Sequence, residues 1–178
     1  MTGKALRPPG QRRRYLFGAV AAGAVASGAA LAWWQRSSAP APLPLWDLQF
    51  DTLQRQKLAM SQFSGKPLVL NFWATWCAPC IEELPLLDNF FRQNSSKGWQ
   101  VLGLAVDQAA AVELFLRRNP VSFSIALAGL PGIELSRSLG NISGGLPFTV
   151  ALGTNGQVIQ RKMGKLTAQD LQTWAALR

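Results

Sequence analysis

Residues 67–80, Pro67-Leu68-Val69-Leu70-Asn71-Phe72-Trp73-Ala74-Thr75-Trp76-Cys77-Ala78-Pro79-Cys80, lead from a mostly apolar run straight into a pair of cysteines. The run through Trp73 has the pattern of a strand buried on both faces of a central sheet. A helix follows from about Ala78 to Gln93, which places both cysteines at a strand-to-helix junction. Spacing of three on a helix puts the two sulfurs on one face, close enough to form and break a disulfide. A thiol at a helix N-terminus meets unpaired backbone N–H groups and the positive end of the dipole, both of which favour its thiolate. Cys77 is therefore expected to be the attacking nucleophile and Cys80 to resolve the mixed disulfide. Pro79 has no N–H to lose in the first turn and fixes it.

Outward from this junction, strand and helix signals alternate. Trp99 to Val106 reads as a second buried strand, and Asp107 is the expected N-cap of a helix from Ala109 to Arg118, stopped by Pro120. Ser122 to Ala126 reads as a short strand and Ile133 to Leu139 as a short helix ended by Gly140. Phe148 to Leu152 and Gln157 to Arg161 flank Gly153-Thr154-Asn155-Gly156, whose Asn-Gly pair is a hairpin cue. Thr167 and Asp170 then stand at capping-box spacing before a helix that buries Leu171, Trp174 and Ala175. The order is α/β with an antiparallel hairpin at one edge.

Composition excludes several chemistries. The 178 residues contain no histidine and two cysteines, so no Ser-His-Asp triad, Cys-His dyad, histidine-ligated metal site or four-thiolate cluster can be built from this chain. A peroxidase motif is also absent, because no Thr stands three positions before either Cys. Other readings of the pair stay open. A static bridge closing so short a loop would remove little unfolded-chain entropy and stabilise poorly. The two thiolates could instead hold Cu(I), although Met60 and Met163 lie far away in sequence. No resident metal or cofactor is expected.

The formal charge of +9 divides unevenly. Residues 1–14 hold Lys4, Arg7, Arg12, Arg13 and Arg14 with no acid, and the remaining +4 is spread without a basic-aromatic stripe, so nucleic-acid binding is not expected. Residues 15–34, YLFGAVAAGAVASGAALAWW, carry no charge and are long enough to span a bilayer as a helix. The basic leader would hold the N-terminus in the cytoplasm, with Tyr15, Trp33 and Trp34 at the membrane interfaces. This reads as a retained anchor. The alternative is a cleaved export signal, since Ala30-Leu31-Ala32 fits the cleavage pattern and Arg12-Arg13-Arg14-Tyr15-Leu16 resembles a twin-arginine signal. Residues 35–44, with Pro40, Pro42 and Pro44, read as a semi-rigid linker, and the folded domain is expected over 45–178.

The stretch FWATWCAPC resembles the active-site strand and turn of thioredoxin-like proteins. Together with the basic leader it is most similar to the exported thiol-disulfide oxidoreductases of the TlpA/ResA type. The match extends from about Leu45 to the C-terminus. Pro85, five residues after Cys80, stands where that family's active-site helix kinks. Gly145-Leu146-Pro147-Phe148-Thr149-Val150 is similar to its cis-proline strand, and Gly156 and Gly164 match glycines of the following hairpin and its exit. The resemblance implies a thioredoxin-like α/β fold, a central mixed sheet flanked by helices, with Pro147 in cis beside Cys77. The backbone of Leu146 would then be open to an extended substrate strand. Trp76 would form an apolar docking rim, while Trp73, Phe90 and Phe91 are expected to pack in the core.

Two positions depart from relatives. Asn71 stands where cytoplasmic thioredoxin has a buried Asp, and Ala78 stands where some relatives place a Glu between the cysteines. Glu83, three residues after Cys80 on one helical face, is the candidate for assisting proton movement; its alternative is a solvated first-turn carboxylate. The resemblance implies reduction of protein disulfides, for example apocytochrome c Cys-x-x-Cys-His sites, with electrons from a transmembrane thiol donor. It places the protein at the bacterial cytoplasmic membrane with its domain outside, or soluble in the periplasm if the leader is cleaved. The opposite direction, an envelope thiol oxidase or isomerase, uses the same residues.

Overall fold

The computed structural model describes residues 45–177. In chain order the strands are β1 (Gln49–Asp51), β2 (Lys57–Ala59), β3 (Leu68–Trp73), β4 (Gln100–Ala105), β5 (Ser124–Leu127), β6 (Phe148–Leu152) and β7 (Val158–Met163). The α-helices are α1 (Ala78–Asn94), α2 (Ala109–Arg118), α3 (Pro131–Ser138) and α4 (Ala168–Ala176). The strands form one mixed sheet in the order β2-β1-β5-β4-β3-β6-β7. β3, β4 and β5 run parallel, whereas β6 joins β3 antiparallel and continues into the β6–β7 hairpin.

The apolar run at 68–73 is buried at every position because both sheet faces are covered. Alternation along β3 sends Val69 and Trp73 to one face and Leu68, Leu70 and Phe72 to the other. On the first face they pack with Leu84, Leu87 and Phe90 of α1 and with Leu171 and Trp174 of α4. The second face gathers Met60, Phe63, Leu102, Leu104, Phe148 and Val150, with Ile133 and Leu135 of α3 packed on them. Trp73 stacks at a tilt on Phe115 and Phe90 meets Trp99 edge-on, the core roles expected of Trp73 and Phe90, while Phe91 is only partly buried.

Several sequence expectations need adjustment. The edge hairpin β1–β2 was not legible, because three-residue strands are too short to show alternation. β5 begins at Ser124 rather than Ser122, whose N–H is bound by the Asp88 carboxylate instead of a strand partner. Asp107 is not the N-cap of α2. That position belongs to Gln108, which makes no side-chain capping bond, and the Asp107 carboxylate is occupied by Thr75. The capping box of α4 does form, with Thr167 and Asp170 bonded reciprocally. The expected membrane segment, 15–34, and the linker, 35–44, lie outside the described residues. Among the described residues no helix is long and apolar enough to cross a membrane.

Gly103 in β4 marks the tightest packing beneath the active-site helix. It sits between Asn71 of β3 and Ile125 of β5, and a Cβ there would lie 2.6 Å from Ile125 Cδ1, 3.1 Å from Trp73 Nε1 and 3.3 Å from the Phe123 ring. Strand propensity alone favours Val over Gly. Gly103→Val is nevertheless expected to destabilise the protein by about 1–3 kcal/mol through overpacking, read from the denaturant midpoint. A stabilised variant would contradict this packing.

Candidate active site

The junction after β3 becomes a tight turn, closed by the Cys77 N–H donating to the Ala74 carbonyl at 3.3 Å. Cys77 is the N-cap of α1 and Pro79 lies in its first turn. Cys77 and Cys80 form a disulfide with a Cα–Cα separation of 5.3 Å. Both cysteines are buried, Cys77 with 6% of its residue surface exposed and Cys80 with none. Because the Ile81 N–H is the first to close the helix, onto the Cys77 carbonyl, the N–H groups of Ala78 and Cys80 have no intrahelical partner. These are the donors that would stabilise a Cys77 thiolate.

Around the disulfide, Trp76 is 69% exposed, and Ala78 and Pro79 are also exposed. β6 starts opposite the end of β3, with Phe72 paired to Phe148, so the preceding Leu146–Pro147 bond lies at the disulfide end of the sheet. That bond is cis. Leu146 packs against the apolar cluster that contains both cysteines. Its backbone N–H and C=O make no hydrogen bond among the described residues.

Below the disulfide is a polar cluster that the sequence revealed only in part. The inner face of α1 carries Cys80, Glu83, Leu84 and Leu87, and Glu83 is fully buried there. It is thus not a solvated first-turn carboxylate. Asn71 shares its face of β3 with Val69 and Trp73, the face that α1 covers. From there Asn71 Nδ2 donates to Glu83 Oε1 at 2.6 Å and to Thr149 Oγ1 at 2.9 Å. Thr149 lies directly across the β3–β6 ladder from Asn71. The other carboxylate oxygen, Glu83 Oε2, accepts the Leu166 N–H at 2.8 Å. Thr149 and Leu166 were not anticipated. A lone Thr in the apolar run of β6 was the available signal for the first, and a backbone donor leaves no signal for the second.

The segment between β7 and α4 braces this cluster with consecutive residues. The Gly164 N–H donates to the Pro147 carbonyl at 2.9 Å, Lys165 pairs with Glu82, and Leu166 holds Glu83. Gly164 takes φ 76°, a left-handed conformation that suits glycine. Burial pushes the Glu83 carboxyl up to about 7, although the Leu166 N–H, the Asn71 amide and the Lys165 ammonium each pull it down.

A parallel-centred mixed sheet, a disulfide at the N-terminus of the first covering helix and a cis-proline beside it define a thioredoxin-like thiol-disulfide exchange protein. Residues 38–175 match the Redoxin family. The chain is 31% identical over 123 residues to the thiol-disulfide oxidoreductase ResA of Bacillus thuringiensis subsp. konkukian, covering 68% of this chain and 69% of that one. With ResA of Geobacillus kaustophilus it shares 28% over 127 residues, 71% of each chain. A solved structure, the thioredoxin-related protein from Neisseria meningitidis serogroup B, superposes with a TM-score of 0.65 at 25% identity, over 72% of this chain and 96% of that one. The chain belongs to the Redoxin family and is a thiol-disulfide oxidoreductase of the ResA/DsbE type.

The buried acid makes stability depend on pH. The folded protein holds the Glu83 proton up to about pH 7, whereas the unfolded chain releases it near 4.5. The unfolded state is therefore favoured progressively as pH rises between these values, and the loss is complete above the folded value. Denaturant unfolding of the oxidised protein is expected to show stability falling by up to about 3 kcal/mol from pH 4.5 to 7.5 through this group. Glu83→Gln should flatten that slope. An unchanged slope in the variant would assign the pH dependence elsewhere.

Proposed function

We propose that this protein is a reductant of protein disulfides outside the cytoplasmic membrane, held there by the 15–34 segment as an anchor and spaced from it by residues 35–44. The basic leader 1–14, the uncharged run and the proline-rich linker support this placement, with 45–178 as the working domain. Cys-x-x-Cys-His sites of apocytochrome c, which must be dithiols before haem attaches, are the proposed substrate class. A transmembrane dithiol protein is the proposed electron donor.

The observation that carries the reading is the unequal setting of the two cysteines, Cys77 at a helix N-terminus among the exposed Trp76, Ala78 and Pro79, and Cys80 fully buried one helical turn from a buried carboxyl. In the reduced protein the Cys77 thiolate attacks one sulfur of the substrate disulfide, and the other substrate sulfur leaves as thiolate. Cys80 gives up its proton, with Glu83 as the nearby acceptor on the same helical face. The Cys80 thiolate then attacks Cys77 in the mixed disulfide and releases the second substrate thiolate. Two electrons pass to the substrate, and the enzyme keeps the Cys77–Cys80 disulfide until the external dithiol reduces it.

The absence of a basic side chain between the cysteines supports the reductive direction. Ala78 and Pro79 add no positive charge to favour the dithiolate form, so the disulfide is not made a strong oxidant by its own dipeptide. The exposed indole of Trp76 and the open backbone edge of Leu146 suit an extended, apolar substrate segment, and both are proposed as substrate-binding groups together with Pro147.

A Cys80→Ser variant expressed in the native cell is expected to accumulate mixed disulfides through Cys77, with trapped proteins that carry Cys-x-x-Cys-His sites. In the unaltered protein the Cys77–Cys80 disulfide should show a reduction potential below about −200 mV; a value near the about −120 mV of strong periplasmic oxidants would overturn the reductive reading. Separately, Glu83→Gln is expected to slow resolution of the mixed disulfide by at least about tenfold, measured by stopped-flow tryptophan fluorescence. Unchanged kinetics would remove Glu83 from the proton path.

A further inference from the structure

The end of β4 carries a carboxylate that neither the disulfide chemistry nor helix capping uses. β3 and β4 pair in parallel up to Trp73 and Ala105, and the Val106 N–H continues the ladder onto the Trp73 carbonyl at 2.8 Å. Two residues beyond that last pair, Thr75 and Asp107 face each other past the strand ends. Asp107 Oδ2 accepts the Thr75 N–H at 2.8 Å and the Thr75 hydroxyl at 2.6 Å, while Oδ1 accepts the Gln108 N–H at 2.7 Å. Burial alone would raise this carboxyl, but the three bonds outweigh it and hold the group below its ordinary range.

Thr75 is a central residue of the turn that the Cys77 N–H closes onto the Ala74 carbonyl. Among the described residues its N–H and hydroxyl have no other partner. The carboxylate stands immediately before the N-cap of α2, where turning inward it could cap that helix, yet α2 starts without a side-chain cap. Two of its three bonds are given to the turn instead. That turn presents Trp76 to solvent and sets where the Cys77 sulfur sits relative to the free N–H groups of α1.

We infer that Asp107 is a positioning residue for the Cys77 thiolate: by clamping Thr75 it fixes the 74–77 turn so that the sulfur faces the N-terminus of α1. The inference rests on Cys77 being the attacking thiol. Without the clamp the turn can rock away from the helix, the thiolate loses its donors and the thiol becomes harder to ionise. The predicted signature is a change in Cys77 ionisation, not merely in fold stability.

The test follows the pH dependence of Cys77 alkylation by iodoacetamide in the reduced, full-length protein in detergent. Thr75→Val is expected to raise the midpoint by about one pH unit, which means about tenfold less thiolate at neutral pH, and Thr75→Ser should restore most of it. Adding Asp107→Ala to Thr75→Val should produce far less further disruption of exchange with a small disulfide than Asp107→Ala produces alone. Should Thr75→Val not fold, Thr75→Ala carries the same comparison. An unshifted profile in a folded Thr75→Val protein, or fully additive effects of the two substitutions, would overturn the inference. A wild-type protein that exchanges no disulfide while the alkylation profile still shifts would overturn the proposed function and leave the clamp standing.

Discussion

The hydrogen bonds that Glu83 makes to Asn71 and to the Leu166 N–H tie together the parts of the molecule on which the chemistry depends. A carboxyl taken fully out of water must be neutral or be met by donors, and here the donors come from different elements. Asn71 belongs to the central strand, Thr149 supports it from the neighbouring antiparallel strand, and Leu166 arrives from the segment that also bonds Pro147. Satisfying this one group therefore sets the active-site helix, the sheet and the cis-proline segment in mutual register. The residual burial cost appears as a carboxyl that titrates near neutrality, the range in which a proton acceptor for a buried thiol is useful.

The two ends of the disulfide are consequently served by different physics. Cys77 depends on backbone donors at a helix start and on a turn held from outside by Asp107. Cys80 lies a turn deeper, beside apolar neighbours and the protonatable Glu83. In the proposed exchange the outer cysteine meets substrate and the inner one completes the reaction. The surface above them, with Trp76 and the backbone of Leu146, which has no hydrogen-bond partner among the described residues, offers apolar contact and main-chain groups rather than charge. Under the proposed function, this surface would receive an extended polypeptide segment.

Most of the architecture was legible because the relevant signals are local. The two-face burial of 68–73, the capping box at Thr167, the cysteine spacing and the β6–β7 hairpin are short-range patterns, and the structure keeps each of them. Failures have the opposite character. The β1–β2 strands are too short to carry a period, and Asp107 had every local mark of a helix cap yet bonds a residue 32 positions away. Glu83 could be placed on the face of Cys80 by helical spacing alone. Its burial could not, since that depends on what the opposite strand offers.

What the sequence alone determined is the reactive inventory and its setting: two thiols at a strand-to-helix junction and no histidine. These follow from residue type and spacing along one chain. Tertiary structure decided the environments. Sheet register put Thr149 across from Asn71 and brought Asp107 to Thr75, and the packing of α1 on β3 closed Glu83 away from water. Acidity and hydrogen-bond partnership depend on the groups within a few ångströms, and for these residues those groups lie on other elements of the fold.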